Sequence, residues 1–398
     1  MSPDTRLAPV GGSPASEGKS SEPLPLFDLR LEEADLQAVA DTLRSGWLSM
    51  GPRTQAFEEA FAAQLGARHA VAVSSCTAAL HLAYLTAGVG PGDEVIVPSY
   101  TFTATASAVV YCGATPVFAD IIGSQDISID PEEVERLITP RTRAVAAVHF
   151  AGYAAPVDRL AALCAERQLA LIEDAAHSPS ATLNGRKLGT FGLAGAFSLF
   201  SNKVLSVGEG GLLVTDDDWV AASARRLRNH AMTVTSWEKH QGARGAYDVP
   251  ALGFNYRIDE PRSALALSRL DRLEDEIERR RELTRRYRAE LPAIPGVYVP
   301  FRDEGVETSS CYVMPILLSD PARRDQVRLR LRERHGVQTS IFYPPIHLLS
   351  VYRERCPGVS LPRSEAAASS DITIPLFPHM TTAQQDRVLD AIAQEVSA

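Results

Sequence analysis

The sequence predicts an α/β protein: a mostly parallel sheet covered by helices on both faces, followed by a smaller α/β unit. Three observations carry that expectation. Short apolar runs alternate with longer helical stretches between about residues 69 and 216. Each run is bounded by Gly, Pro, Asp or Asn, as buried parallel strands are. Beyond about residue 260 the character changes to a long charged helix and shorter strands. At roughly 150 residues per domain, 398 residues suit two domains and a large core.

In chain order, residues 1–23 are rich in Ser, Pro and Gly and read as a disordered leader. In LEEADLQAVADTLRSG, Leu31, Leu36, Val39 and Leu43 recur at helical spacing and Gly46 supplies a stop. Phe57, Phe61 and Leu65 mark a second helix, ended by Gly66. The apolar runs are HAVAVS (69–74), DEVIVP (93–98), TPVFAD (115–120), RAVAAVHF (143–150), LALIED (169–174), AGAFSLF (194–200) and GLLVTD (211–216). Helices fall between several of them, as at 76–88 and 155–168. A single long helix is expected over 263–294, then a strand over 312–319 and a helix over 321–335. The resulting division is a large domain over 24–262 and a small one over 263–398.

Composition narrows the function. Forty basic against forty-nine acidic residues give a net charge of −9, which argues against a general grip on nucleic acid or an anionic membrane. The chain carries no apolar run of membrane-spanning length, and its first twenty-five residues have no signal-peptide core. Cys76, Cys112, Cys164, Cys311 and Cys356 are odd in number and scattered, without metal-ligand spacing or a disulfide framework. A cytoplasmic, metal-free protein is the expectation.

In such sheets ligands sit outside the carboxyl ends of the strands, so each strand end is a candidate site. LALIED ends on Asp174, with His177 three residues on. By itself that carboxylate could be a helix cap. AGAFSLF runs into SNK, placing Ser198 and Lys203 five apart, and VGEGG (207–211) follows. A lone lysine there could be a surface cation. HAVAVS leads into SSCTAAL, small residues opening a helix whose free N–H groups suit a phosphate. DEVIVP leads into SYTFTATA, which brings Phe102 to the same rim. One ligand uses all of these parts: pyridoxal phosphate needs a phosphate cradle, a Schiff-base lysine, a flat side chain on its ring and a carboxylate on its pyridine nitrogen. Neither GxGxxG in a strand–helix turn nor a Walker loop occurs.

The chain resembles the DegT/DnrJ/EryC1/StrS aminotransferases, the nucleotide-sugar and aminocyclitol branch of the fold-type I pyridoxal phosphate enzymes. The resemblance runs from about Leu43 to the C-terminus. It is carried by GWLSMGP (46–52), SSCTAALHL (74–82), GPGDEVIVPSYTFTATA (90–106), GATPVFAD (113–120), IEDAAHS (172–178), FSLFSNKVLSVGEGG (197–211), GFNYRIDE (253–260), FYPPIHLLSVY (342–352) and IPLFPHM (374–380). It implies a seven-stranded large domain and a smaller C-terminal one. Lys203 would be the Schiff-base lysine, Asp174 the partner of the pyridine nitrogen, and His177 a neighbour of the ring hydroxyl. Phe102 would stack on the ring, while Ser198, Thr77 and the amides of Cys76 and Thr77 hold the phosphate. Asn255 would reach the phosphate of the neighbouring subunit in a homodimer, and Tyr343 and His347 would contact substrate. Three positions depart from the family's pattern: Cys76 stands for the usual glycine of S-G-T, Phe342 for a histidine, and Ala231 for the glycine after R-N-H.

A lysine at position 203 implies transamination, whereas family members with histidine there are dehydratases. The implied reaction moves nitrogen from glutamate or glutamine to a keto group of a nucleotide-linked keto-deoxysugar, with a 4-keto group favoured. A keto-cyclitol or another natural-product ketone is the alternative acceptor. A non-catalytic regulatory protein of the same fold is the remaining alternative, against which both Lys203 and Asp174 speak.

Overall fold

A computed structural model of the chain describes residues 22–242 and 246–397. All but the last two residues of the expected leader lie outside them. Strands β1 (His69–Val73), β2 (Glu94–Pro98), β3 (Thr115–Ala119), β4 (Thr142–Val148), β5 (Ala170–Asp174), β6 (Ala194–Ser198) and β7 (Gly211–Thr215) form one sheet in the order β1-β7-β6-β5-β4-β2-β3. Each of the seven apolar runs has become a strand. All pairings are parallel except those of β7, which runs antiparallel to both β1 and β6.

The sheet is buried on both faces, which explains why its strands read as continuous apolar runs. In β2, Val95 and Val97 join the core under helices α3 (Cys76–Thr86) and α4 (Ala104–Tyr111), whereas Ile96 faces α5 (Val157–Arg167). Before the sheet come α1 (Glu33–Arg44) and α2 (Pro52–Leu65); Gly66 closes α2 in the left-handed region at φ 67°. After β7 comes α6 (Asp218–Leu227), capped by Asp217.

The expected long helix is two helices, α7 (Glu260–Leu270) and α8 (Leu273–Glu290), broken at Asp271–Arg272. No Gly or Pro marks the break. Its cause is tertiary: Arg272, at φ −109° and ψ 7°, reaches Asp35 of α1 at 2.9 and 2.5 Å, and Arg269 donates to the Ser206 carbonyl at 2.7 Å. Residue 262, where the sequence puts the domain border, therefore lies inside α7. The second unit holds the antiparallel sheet β8 (Val297–Tyr298), β9 (Met314–Leu318) and β10 (Asp371–Ile374), with α9 (Arg324–His335), α10 (Pro362–Ser370) and α11 (Thr382–Ser397). Leu24 joins it, exchanging backbone hydrogen bonds with Gly336 and Gln338. Among the described residues no helix is long and apolar enough to cross a membrane.

Two of the motifs quoted above meet at one buried carboxylate. Glu260, at the end of GFNYRIDE, accepts from the N–H groups of Gly51, Arg53 and Thr54 at 2.8 Å each and from the Thr54 hydroxyl at 2.7 Å. It thus caps the start of α2, whose first N–H groups have no partner within the helix. Glu260→Ala is expected to lower stability by about 3 kcal/mol or more, because four donors lose their acceptor at once. The shift of the urea unfolding midpoint measures this; a change below about 1 kcal/mol would show that water replaces the carboxylate freely.

Candidate active site

The carboxyl ends of β1, β5 and β6 and the start of β7 open on one cleft of about 290 Å³. Its wall includes Cys76, Thr77, Phe102, Asp174, His177, Ser198, Lys203 and Tyr343. Ser198 lies opposite Gly211 across the β6–β7 pair. A Cβ on Gly211 would fall 2.4 Å from the Ser75 carbonyl carbon and 2.5 Å from the Cys76 nitrogen. Only glycine lets β7 pass so close beneath the first turn of α3. Ser75 caps that helix, accepting from the Ala78 N–H at 3.1 Å. The amides of Cys76 and Thr77 stand ahead of the helical ladder, where the macrodipole favours an anion.

Asp174 is 5% exposed at the end of β5. Its Oδ2 accepts from the Thr105 hydroxyl at 2.7 Å and its Oδ1 from the Ala176 N–H at 3.2 Å. Burial holds its carboxyl above the ordinary range, against the downward pull of those two donors. The Cys76 thiol sits 3.9 Å from Oδ1, so the side chain that replaces the family's glycine touches the carboxylate. Burial pushes that thiol well above its ordinary pKa, and it remains protonated.

Lys203 follows β6 and is enclosed by the cleft, with Nζ 4.3 Å from the centre of the Tyr312 ring. Burial lowers its pKa to about 8, opposed by the nearby Asp174 carboxylate. The amine is therefore part neutral near physiological pH. His177 is held beside it: Nδ1 accepts from the Ala151 N–H at 3.3 Å, and Nε2 lies 3.3 Å from the Tyr343 hydroxyl. Because Nδ1 accepts, the neutral ring carries its proton on Nε2. Burial and the Lys203 charge keep His177 well below its ordinary pKa. The Phe102 ring leans on Tyr343 at 5.5 Å and is 53% exposed at the rim. A second cleft, of about 360 Å³ and rich in charged groups, reaches Asn202 and Lys203 from beside the second unit.

Two expected residues are absent from the wall. Asn255 is exposed outside the cleft, its backbone bridged to Asn229. His347 lies behind the wall: it is 1% exposed, and both ring nitrogens are engaged by Ser99 and Glu365. Behind the wall lie two buried residues, in contact with Asp174 and Lys203, that sequence reasoning passed over. Thr105 lies three residues beyond Phe102, within a motif already quoted. Tyr312 comes from the loop into β9 and carries no local signal.

A model of the DegT/DnrJ/EryC1/StrS aminotransferase family matches residues 29–393. This chain belongs to that family. As a member it is an aminotransferase of the sugar-biosynthesis group, with the fold-type I architecture. It is 38% identical over 364 residues to the spore coat polysaccharide biosynthesis protein SpsC of Bacillus subtilis, covering 90% of this chain and 93% of that one. The aminotransferase TlmJ of Streptoalloteichus hindustanus superposes with a TM-score of 0.87 at 34% identity, over 94% of this chain and 99% of its own. The putative sugar aminotransferase Spr1654 of Streptococcus pneumoniae, in its PMP-form, superposes with a TM-score of 0.87 at 26% identity, over 94% and 99%.

Proposed function

We propose that this family member uses pyridoxal phosphate to move nitrogen from glutamate or glutamine to a keto group of a nucleotide-linked keto-deoxysugar, a 4-keto group favoured, in the cytoplasm. The observation that carries the reading is the meeting of a half-buried lysine and a buried carboxylate in one cleft with the open start of α3. The residues present fit the cofactor. Gly211 leaves room for a phosphate at the amides of Cys76 and Thr77, with the Ser198 hydroxyl beside them. Asp174 has hydrogen-bonding neighbours but no salt-bridging cation among the described residues, as suits a carboxylate awaiting a protonated ring nitrogen. Relatives support both halves of the reading: Spr1654 is known in PLP- and PMP-forms, and SpsC is a polysaccharide-biosynthesis protein.

When bound, the cofactor supplies an aldehyde that exchanges with amines and a ring that draws off electrons. The chain supplies the rest. Asp174 holds a proton on the ring nitrogen, positioned by Thr105. Lys203 would hold the cofactor through its amine, and in its neutral form would be the group placed to carry a proton to and from the substrate carbon. His177, its proton on Nε2, orients the ring hydroxyl. Phe102 covers a ring face, and Tyr343 closes the wall. The decisive experiment supplies 15N-labelled glutamate, or amide-labelled glutamine, with nucleotide-linked 4-keto-6-deoxysugars. Label appearing on the sugar is the expected result. A keto-cyclitol labelled instead would replace the acceptor, and label on neither would end the reading.

The same reading makes the protein a homodimer whose sites are completed across the interface by Asn255 of the partner subunit. Support comes from the exposure of Asn255 and of Leu252 beside it, which is 93% exposed. In a two-fold dimer the exchange is reciprocal. Lys203→Ala and Asn255→Ala are expected to be weak or inactive alone. Mixed under exchange, half of the dimers carry one site with both lesions and one with neither, so activity returns to about a quarter of wild type. If subunits exchange and nothing returns, Asn255 acts within its own chain.

A further inference from the structure

Two of the segments that wall the cleft come from distant parts of the chain. One follows β2 and carries Thr101, Phe102 and Ala104; the other carries Phe342 and Tyr343. Behind them three side chains form one polar chain. Ser99 Oγ lies 2.7 Å from His347 Nδ1, and His347 Nε2 lies 3.1 Å from Glu365 Oε1 on α10. The backbone reinforces it: Ile346 N–H donates to the Ser99 carbonyl at 2.8 Å, His347 N–H to Ser99 Oγ at 3.2 Å, and Leu361 N–H to Glu365 Oε1 at 2.9 Å.

The proton arrangement follows from the partners. An ionised Glu365 only accepts, so Nε2 carries a ring hydrogen toward it, and Nδ1 pairs with the Ser99 hydroxyl. The Leu361 N–H and the His347 ring hold the Glu365 carboxyl below its ordinary range. The order serine–histidine–carboxylate resembles a hydrolytic triad, but Ser99 is fully buried, at 0% exposure, so no substrate reaches it. What the chain of contacts can do is hold two backbones at a fixed distance.

We propose that His347 is a positioning residue: through Ser99 and Glu365 it latches the Phe102 segment to the Tyr343 segment and so sets the width of the cleft. This rests on the aminotransferase reading above. The consequences run through contacts already described. Phe102 and Tyr343 touch across the rim at 5.5 Å, and Tyr343 reaches His177 at 3.3 Å. A loosened 342–347 segment would weaken both, while Ile346 and Tyr352, buried in the core under α3 and α4, keep the fold together.

The test uses holoenzyme carrying Ser99→Ala, Glu365→Ala, the two together, or Glu365→Gln. Each alanine variant is expected to raise acceptor KM and the cofactor dissociation constant about three- to tenfold, the loss of one buried hydrogen bond, with kcat within about twofold. The double variant should be no worse than the worse single one, because both act through one ring. Glu365→Gln keeps an oxygen for both donors and should return to within about twofold of wild type. Amide hydrogen exchange should quicken in residues 100–105 and 342–347 together. Additive effects, a lowered melting temperature with KM and cofactor affinity unchanged, or no recovery in Glu365→Gln would overturn the latch. The exchange measurement needs no substrate. A wild-type protein that fails to transaminate would therefore sink the functional reading separately, and joint loosening of the two segments would still be seen or not seen.

Discussion

Lys203→Ala is expected to lose transamination by at least about 10⁴-fold, the upper range for a positioned proton-transfer group, since the same side chain also anchors the cofactor. No neighbour can stand in. The other titratable groups around the cleft are the carboxylates of Asp174 and Glu209, a histidine held neutral, a protonated thiol and the protonated Tyr343 phenol, none of them an amine. The variant should still fold, because the lysine side chain makes no hydrogen bond among the described residues and removing a desolvated cation relieves its cost. The wild-type amine also sets a pH signature. Its pKa is brought down from 10.5 to about 8, so the neutral fraction rises as pH rises through 8. Loading of apoenzyme with pyridoxal phosphate should accelerate about tenfold per pH unit below that point and level off above it. The same depression has a stability sign. Between about 8 and 10.5 the unfolded chain binds the extra proton, so this group adds stability as pH rises through that window and imposes a constant penalty below it. A loading rate that stays flat through pH 8 would mean that another amine is the anchor.

Asp174→Asn should lower turnover by about 10²–10³-fold while leaving the cofactor bound, because an amide cannot stabilise a cationic ring nitrogen as charge develops next to it. The carboxylate is costly to bury in its charged form. Burial raises its pKa, and the Thr105 hydroxyl, the Ala176 N–H and the Lys203 charge offset this in part. A protonated ring nitrogen would bring it down again. Asn keeps an oxygen for Thr105, so the fold should be spared and the loss should fall on kcat. Near-normal turnover would show that Asp174 serves only to end β5.

Much of this was legible in sequence, for reasons that individual residues make plain. The seven sheet strands announced themselves because burial on both faces forces continuous apolar runs, as in Val95, Ile96 and Val97. Asp174, Ser198 and Lys203 could be placed together because strand ends of one parallel sheet share an edge. What escaped depends on long-range partners. Arg272 breaks a helical pattern of unbroken propensity because Asp35, from a distant helix, draws it out. His347 sits in a motif beside Tyr343, yet its ring turns away to Ser99, 248 residues earlier. Tyr312 lies under Lys203 with nothing in its neighbourhood to mark it. Ala231, where a glycine was the expected residue, does adopt a left-handed conformation at φ 56°. A Cβ on Gly253 would fall 2.2 Å from its nitrogen, so the facing residue is the one that close approach requires to be glycine.

The most direct test reduces the purified, cofactor-loaded protein with borohydride and maps the modified peptide. The reading of the cleft expects loss of the yellow absorbance and a single pyridoxyl adduct on Lys203, in the peptide that follows β6. An adduct on any other lysine, or a protein that takes up no cofactor to reduce, would contradict it.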